Sequence, residues 1–427
     1  MIGWLIIPFF LAMFAGVPIS FSLALGTMLF LFVSSQVPME IVAQQLYQAS
    51  ASFPLMAIPF FLLAGDLMDR TGITSRIIKF VTVLVGRVHG GLGQVMVLTG
   101  TIFAGLSGSG SADTAALTKV MAPGMEKEGY DIDFCAGLAA AVGVLGPIIP
   151  PSIVMIVYGS MMNLSVGALF MAGILPGIMI GGGLMAMAYY ISKKRNYPRR
   201  EEPFTWGELA SGFKDAALAL LMPVIILYGI RGGVFTPTEG GAIAVLYALI
   251  LGIFVYRTLT FSSFVHSLVS SGMTAAVIML IVATANAFGW LMALNSVPQM
   301  MGNFLLEFAH NKYVLLMLIN VLLIFMGMIM ETNAIILLLA PILAPVAVGM
   351  GIDPIHFALV VVVNLCIGLA TPPVGLNLFV SASATGISME RVTRAAIPFV
   401  MVELTVLLLV TYLPEIVLVL PRSLGMV

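Results

Sequence analysis

The sequence predicts an all-α polytopic membrane protein made of two structural repeats, each with a re-entrant helical hairpin and a Pro-broken helix. Three observations carry this prediction. The first is composition: of 427 residues, 60% are hydrophobic and only 9% charged, and the mean hydropathy is +1.12. A soluble protein of this length needs a charged surface, which this composition does not supply. The second is that apolar stretches near the ~20 residues needed to cross a bilayer recur along the chain, about a dozen in all. The third is a repetition. "ADTAALTKVMAP" from Ala112 and "METNAIILLLAP" from Met330 each set an acid and a Thr before a run that closes on Ala-Pro. Asp113 and Glu331 are 218 positions apart, and so are Pro123 and Pro341.

Each element follows in order. The N-terminal stretch "MIGWLIIPFFLAMFAGVPISFSLALGTMLFLFV" has no basic residue before its apolar run and exceeds a signal-peptide core, so it reads as a retained first span. "EIVAQQLYQAS" is polar enough to lie at the interface, and "PLMAIPFFLLAGDLMDRTGI" follows it as a span whose Asp66, Asp69 and Arg70 sit at its end. "LGQVMVLTGTIFAGL" leads into a glycine-serine tract, and "CAGLAAAVGVLGP" and "PPSIVMIVYGSMM" flank a Pro-Pro break. "ALFMAGILPGIMIGGGLMAMAYYI" is the clearest continuous span and ends on "SKKRNYPRREEPF".

That polar stretch sets orientation. Lys193, Lys194, Arg195, Arg199 and Arg200 place five of the 18 Lys and Arg residues in eight positions, and the positive-inside rule puts loop 193–202 in the cytoplasm. Residues 193–214 read as a linker between a first repeat, 1–192, and a second, 215–427. The second half opens with "GGVFTPTEGGAIAVLYAL", which echoes "AGVPISFSLALGTMLFLF" at an offset of 217. Echoes in the same order at offsets of 217 to 222 imply internal duplication, a weak symmetry typical of transporter folds. Whether the halves are parallel or inverted stays open at this point. Net charge is −1, which gives no footprint for a nucleic-acid partner. Cys135 and Cys366 lie in apolar segments and read as small core residues, not as a disulfide or metal site.

The repeated motifs carry the chemistry. In "GTIFAGLSGSGSADTAALTKVMAP", Gly105, Gly108 and Gly110 alternate with Ser107, Ser109 and Ser111 between short apolar arms. Non-helical backbone at membrane depth needs protein or a water-filled cavity around it, so this reads as a hairpin over about 100–123 that turns at its Gly-Ser tip. Asp113 then stands near the N-terminus of the returning arm, where the helix dipole favours an acid. A second hairpin over about 324–347 has Glu331, Thr332 and Asn333 at its turn. Broken helices over about 134–162 and 355–385 follow, interrupted by "GPIIPPS" from Gly146 and "GLATPPVG" from Gly368. Adjacent prolines remove two donors and break the helix, which frees carbonyls for a hard cation and N–H groups for an anion. Ser152, Thr371 and Asn377 add polar groups there. Intramembrane acids are functional by default because burying them is costly, which singles out Asp113 and Glu331.

Two rival classes fit less well. "GLSG" at Gly105–Gly108 matches the string around an intramembrane protease serine, but His89, His266, His310 and His356 all lie in or beside polar segments. A channel would show a ring motif, whereas two unlike hairpins suit one enclosed site.

"AGLSGSGSADTAAL", "GPIIPPS", "VFTPTEGGAIAVLYAL" and "GLATPPVGLN", in that order, resemble the large membrane subunit of tripartite ATP-independent periplasmic (TRAP) transporters of the DctM or SiaM-like type, over essentially the whole chain. The resemblance implies a scaffold plus an elevator-type transport domain in a bacterial inner membrane. It implies Na⁺-coupled import of a small carboxylate, a sialic acid or C4-dicarboxylate, delivered by a soluble periplasmic binding protein, with a separate small membrane subunit and membrane lipids as further partners. Carried over, one Na⁺ site lies between the Ser107–Ser111 tip, with Ser107 and Ser109, and the Gly146–Pro151 break, with Ile149. A second lies between the Gly327–Asn333 segment and the Gly368–Pro373 break, with Thr371 and Pro372. Substrate sits near Ser107, Ser109, Asp113, Ser152, Glu331 and Asn333. The alternative within transport is a stand-alone Na⁺/dicarboxylate symporter that needs no binding protein.

Overall fold

The computed structural model describes residues 2–34, 37–199, 205–309 and 311–427; Arg200, the rest of the loop to 204, and His310 lie outside the described residues. Among the described residues there are twenty α-helices and no strands. The first is α1 (Gly3–Phe14), followed by α2 (Ile19–Ser34). The single N-terminal span expected from hydropathy is therefore two helices. They separate where Gly16 takes φ +86°, a left-handed conformation, and Pro18 precedes the next helix. Hydropathy alone missed this because every residue around the turn is apolar or small.

α3 (Met39–Ser50) and α4 (Ala57–Arg70) are joined by a short 3₁₀ turn and bent by 53°. α5 (Ile73–Val85) leads to the first hairpin, α6 (Gly91–Ser107) and α7 (Gly110–Lys127). The first broken helix is α8 (Ile132–Val142) and α9 (Ile153–Met161), and the long α10 (Val166–Lys194) closes the first half. α11 (Trp206–Arg231) and α12 (Pro237–Ile250) open the second. The "TPTE" motif starts α12 as a capping box: Glu239 N donates to Thr236 Oγ1 at 3.3 Å, and Thr236 N donates back to the Glu239 carboxylate at 2.7 Å. α13 (Phe261–Leu294) and α14 (Val297–Phe308) precede the second hairpin, α15 (Lys312–Gly327) and α16 (Thr332–Gly349). The second broken helix is α17 (Pro354–Gly368) and α18 (Leu376–Thr385), followed by α19 (Met389–Tyr412) and α20 (Pro414–Ser423). Among the described residues six helices are long and apolar enough to cross a membrane, seven if α3 and α4 count as one, and seven more are apolar but shorter.

The contacts of α19 fix which way the hairpins enter. Its 24 residues span about 36 Å at 1.5 Å per residue. At its N-terminal end Arg391 pairs with Asp133 of α8 at 2.6 Å. The same face holds the base of the first hairpin, where Gly90 N donates to Pro198 O at 3.2 Å beyond the end of α10. At its C-terminal end Tyr412 meets Tyr313 of α15, with ring centroids 6.1 Å apart, and Val410 O lies 2.8 Å from Nε2 of His356 in α17. The two hairpins and the two broken helices thus enter from opposite ends of α19.

On the Lys194 face, Asp131 accepts from Tyr197 Oη and from Arg195 Nη1, both at 2.7 Å. The Tyr197 hydroxyl, then the Arg195 guanidinium, hold the exposed Asp131 carboxyl below its usual range, and burial pushes the Tyr197 phenol up to about 12. At the centre the two halves are stitched by polar side chains. Asn377 Nδ2 donates to Ala140 O at 3.1 Å and Ser381 Oγ to Ala136 O at 2.8 Å, all buried. Replacing Asn377 by Leu leaves Ala140 O without that donor and should cost about 1 kcal/mol, read as a lower unfolding midpoint in detergent. An unchanged midpoint would show that the bond is dispensable.

Candidate functional site

Both interrupted helices and both hairpin tips converge. At the first tip α6 ends at Ser107, Gly108 takes φ +64°, and α7 restarts at Gly110. Ser107 Oγ donates to Asp113 Oδ1 and accepts from Ser109 N, so one hydroxyl and one carboxylate close the turn. Asp113 is 1% exposed, and its Oδ2 has no partner among the described residues. That oxygen points at the first break: a Cβ on Gly146 would lie 2.6 Å from Asp113 Oδ2 and 2.9 Å from Gly110 N. The absence of a side chain at Gly146 is what lets tip and break touch.

The first break runs from Gly143 to Ser152 and contains a cis Pro150-Pro151 bond. Ser152 caps α9, accepting from Met155 N at 3.2 Å and donating to Pro147 O at 2.5 Å. It is fully buried and both roles are internal, so it shapes the break without facing an opening. Ile149 turns its side chain toward Gly177 of α10, and Pro151 O approaches Gly108.

The second tip is capped by an acid. Glu331 accepts from Ala334 N at 3.2 Å and from Asn333 Nδ2 at 2.7 Å. Thr332 Oγ1 and Asn333 Oδ1 are buried without a partner among the described residues. Gly327 and Gly368 pass backbone against backbone, since a Cβ on Gly368 would lie 2.6 Å from Gly327 C. Thr371 Oγ1 donates to Ile367 O at 2.7 Å, the Pro372-Pro373 bond is cis, and Gly375 (φ +50°) donates its N–H to Met328 O at 3.3 Å.

A cavity of about 380 Å³ lies between the tips. From the first tip it is lined by Ser109 and Ser111, from the second by Glu331, Thr332 and Asn333, and from α13 by Thr274. The first turns of α7, α9, α16 and α18 all reach it, through Gly110, Ile153, Thr332 and Leu376. Four helix N-termini border one space and place positive dipole ends there, with Ser152 capping α9 and Glu331 capping α16. A neighbouring cavity of about 400 Å³ shares Leu62, Ser109, Ser111 and Thr274 and extends past Ser107 and Ser270 to Asp66 and Asp69.

Residues 6–416 match the model of a family described as the tripartite ATP-independent periplasmic transporter, DctM component. The chain belongs to this family. The permease is 42% identical over 425 residues to the sialic acid TRAP transporter large permease SiaM of Vibrio cholerae, covering 98% of this chain and 97% of that protein. It is 40% identical to the C4-dicarboxylate large permease DctM of Rhodobacter capsulatus, covering 97% of each. With the 2,3-diketo-L-gulonate large permease YiaN of Escherichia coli it shares 38% identity, covering 94% of this chain and 95% of that one. These relatives are permease subunits and not enzymes. In shape the permease is similar to the YdaH transporter of Alcanivorax borkumensis, with a TM-score of 0.62 at 15% identity over 87% of this chain and 88% of that one. It is also similar to MtrF of Neisseria gonorrhoeae, with a TM-score of 0.60 at 12% identity over 89% and 85% of the two chains.

Of the expected substrate residues, Ser109, Glu331 and Asn333 line the central cavity and Ser107 the adjoining one, while Asp113 and Ser152 sit behind the first tip. Ser111, Thr274 and Thr332 also line the central cavity and are not among the substrate residues expected from the sequence. Thr332 lies between two that are. Thr274 is a lone hydroxyl in an apolar helix, and only tertiary packing brings it across from the tips.

Gly146→Ala and Gly368→Ala should each cost about 1–3 kcal/mol, because the new Cβ meets backbone or a carboxylate that cannot withdraw. Gly182→Ala in α10, where a Cβ meets nothing within 4 Å, is the control. Equal losses of thermal stability at all three positions would remove this steric reading.

Proposed function

We propose that this permease subunit is a secondary transporter that imports a small organic carboxylate across the bacterial inner membrane, coupled to Na⁺. The single observation behind this reading is the cavity between two hairpin tips, on which four helix N-termini and two broken helices converge. Nothing cationic among the described residues lines it, so an anion there is held by backbone N–H groups and dipole ends, with hydroxyls adding contacts.

The donor set behind the tips suits a hard cation. The first candidate position has Asp113 Oδ2, the Ser107–Ser109 turn and the carbonyls of the Gly143–Pro151 break. The second has Thr371 and the carbonyls where Gly327 meets Gly368. Among the described residues no three His, Cys, Asp or Glu side chains gather, so these positions are built from carbonyl, hydroxyl and single carboxylate oxygens. Oxygen ligands of that kind favour Na⁺ over a transition metal. A cation bound behind each tip would hold tip and break together and complete the anion site, which links the two cargoes.

The opposed entry of the hairpins supports an inverted duplication, with 1–192 and 215–427 as the two repeats and 193–202 on the cytoplasmic side. On this reading hairpins, broken helices, α10 and α19 form the mobile elevator domain, and α4, α11, α12 and α13 the scaffold. The family's tripartite name supports a soluble binding protein and a small membrane subunit as partners, and weighs against a stand-alone symporter. The isethionate TRAP transporter permease DctMQ of Oleidesulfovibrio alaskensis, 39% identical, is covered to 64% of its length.

Thermal unfolding of the purified chain in NaCl, with KCl and choline chloride at matched ionic strength, tests the coupling. A ligand bound only by the folded state stabilises it by about 2.7 kcal/mol at a hundredfold excess over its Kd. A Na⁺-specific rise is expected, reduced by Thr371→Ala or Ser109→Ala and unaffected by neutralising Lys193 and Lys194. The same variants should lower Na⁺-dependent uptake in proteoliposomes carrying the complete transporter. Equal effects from the tip variants and the loop variants would overturn the site assignment.

A further inference from the structure

A second polar cavity lies one helical turn beyond the central one. It measures about 250 Å³ and sits between α3, α9, α13 and α16. The central cavity is lined by Val154 of α9, Ile281 of α13 and Asn333 of α16, and the second by Val157, Val282 and Leu337 of the same three helices. An apolar layer about one turn thick divides them. The cavity that reaches Asp66 and Asp69 lies the other way along α13, at Ser270 and Ser271. Ser270 to Asn286 spans about 24 Å at 1.5 Å per residue, so three cavities follow one another along this helix.

The wall of the second cavity carries amides and hydroxyls, and no charged side chain among the described residues. Asn286 Nδ2 donates to Gln45 Oε1 and to Gln45 O, both at 3.1 Å. That contact fixes the Gln45 amide with the N–H groups of Nε2 left over. The side chains of Gln48 and Asn163 are exposed and make no hydrogen bond among the described residues. These two mark the mouth of the cavity. Asn163 stands just before α10, whose 29 residues run about 43 Å to Lys194. The mouth is therefore at the end of α10 remote from the basic loop, which is the periplasmic face on the orientation proposed above.

Three amides with uncommitted N–H groups around one space suit a carboxylate, because a bond to a charged acceptor is stronger than one between neutral groups. No acid lines this cavity, whereas beyond the tips an anion meets Asp66 and Asp69. We propose that the cavity is an entry site for the transported anion, where Gln45, Gln48 and Asn163 hold its carboxylate before it passes to the tips. This rests on the reading of the permease as a carboxylate importer. The apolar layer at Val157, Val282 and Leu337 then keeps the waiting anion apart from the central site in this conformation.

The test is protection of a single cysteine in the complete transporter. In a chain with Cys135→Ala and Cys366→Ala, Met161→Cys lies in the cavity wall and leaves every amide in place. A membrane-impermeant maleimide added outside spheroplasts should label it, read as a mass shift of this chain. Succinate or N-acetylneuraminate, whichever intact cells take up, should slow the labelling in a saturable way. Gln48→Leu and Asn163→Gly should each raise the half-protecting concentration about tenfold. Glycine accepts the Asn163 φ of +53°, and retained uptake at saturating anion shows that both variants fold. Ser109→Ala, at the first tip, should leave the protection unchanged. A cysteine that the maleimide does not reach, or labelling that the transported anion does not slow, overturns the inference and leaves carboxylate transport standing. Protection abolished by Ser109→Ala and untouched by the two amide variants assigns it to movement of the tips and also overturns it. Uptake of neither anion, with no protection by either, removes the transport reading and this inference together.

Discussion

Inside a bilayer there is no water to take up a free N–H or C=O, so each stretch of irregular backbone at membrane depth must be answered by another piece of the protein. Among the described residues the two hairpin turns and the two helix breaks are such stretches, and they answer one another. Gly146 lies against the first turn and Gly327 against Gly368, while Gly375 donates to Met328. Asn377 and Ser381 carry the mutual support across the two halves.

The same gathering creates the chemistry. A helix that stops part-way exposes the positive end of its dipole, and four such ends border one cavity beside the Glu331 carboxylate, with no Lys or Arg among the described lining residues. The acids at the tips are engaged in turn geometry: Asp113 by Ser107, and Glu331 by its own helix start. Their carboxylates shape the tips first. Whatever oxygen remains free faces the break or the cavity.

Much of this was legible in the sequence, for a physical reason. Against a background of Leu, Ile, Val and Met, a Gly-Ser tract, a Pro-Pro pair or a lone acid is expensive at membrane depth, so each stood out without any structure. The split between α1 and α2 was not legible, because Gly16 and Pro18 sit among apolar residues and each is tolerated within a span. The partners of Asn377 were not legible either, since a single Asn does not reveal which carbonyl, 237 residues away in the chain, it will meet. Thr274 illustrates the same limit. Composition marks what must be buried and satisfied, and tertiary packing decides by whom.

The arms that precede the two hairpins are unequal. In the first half the arm is an elbow, α3 and α4 meeting at 53°, and in the second it is α13, a single rod of 34 residues. The elbow and the rod differ in backbone as well as in sequence, so no two-fold axis carries one arm onto the other, and the two ends of the molecule are not interchangeable.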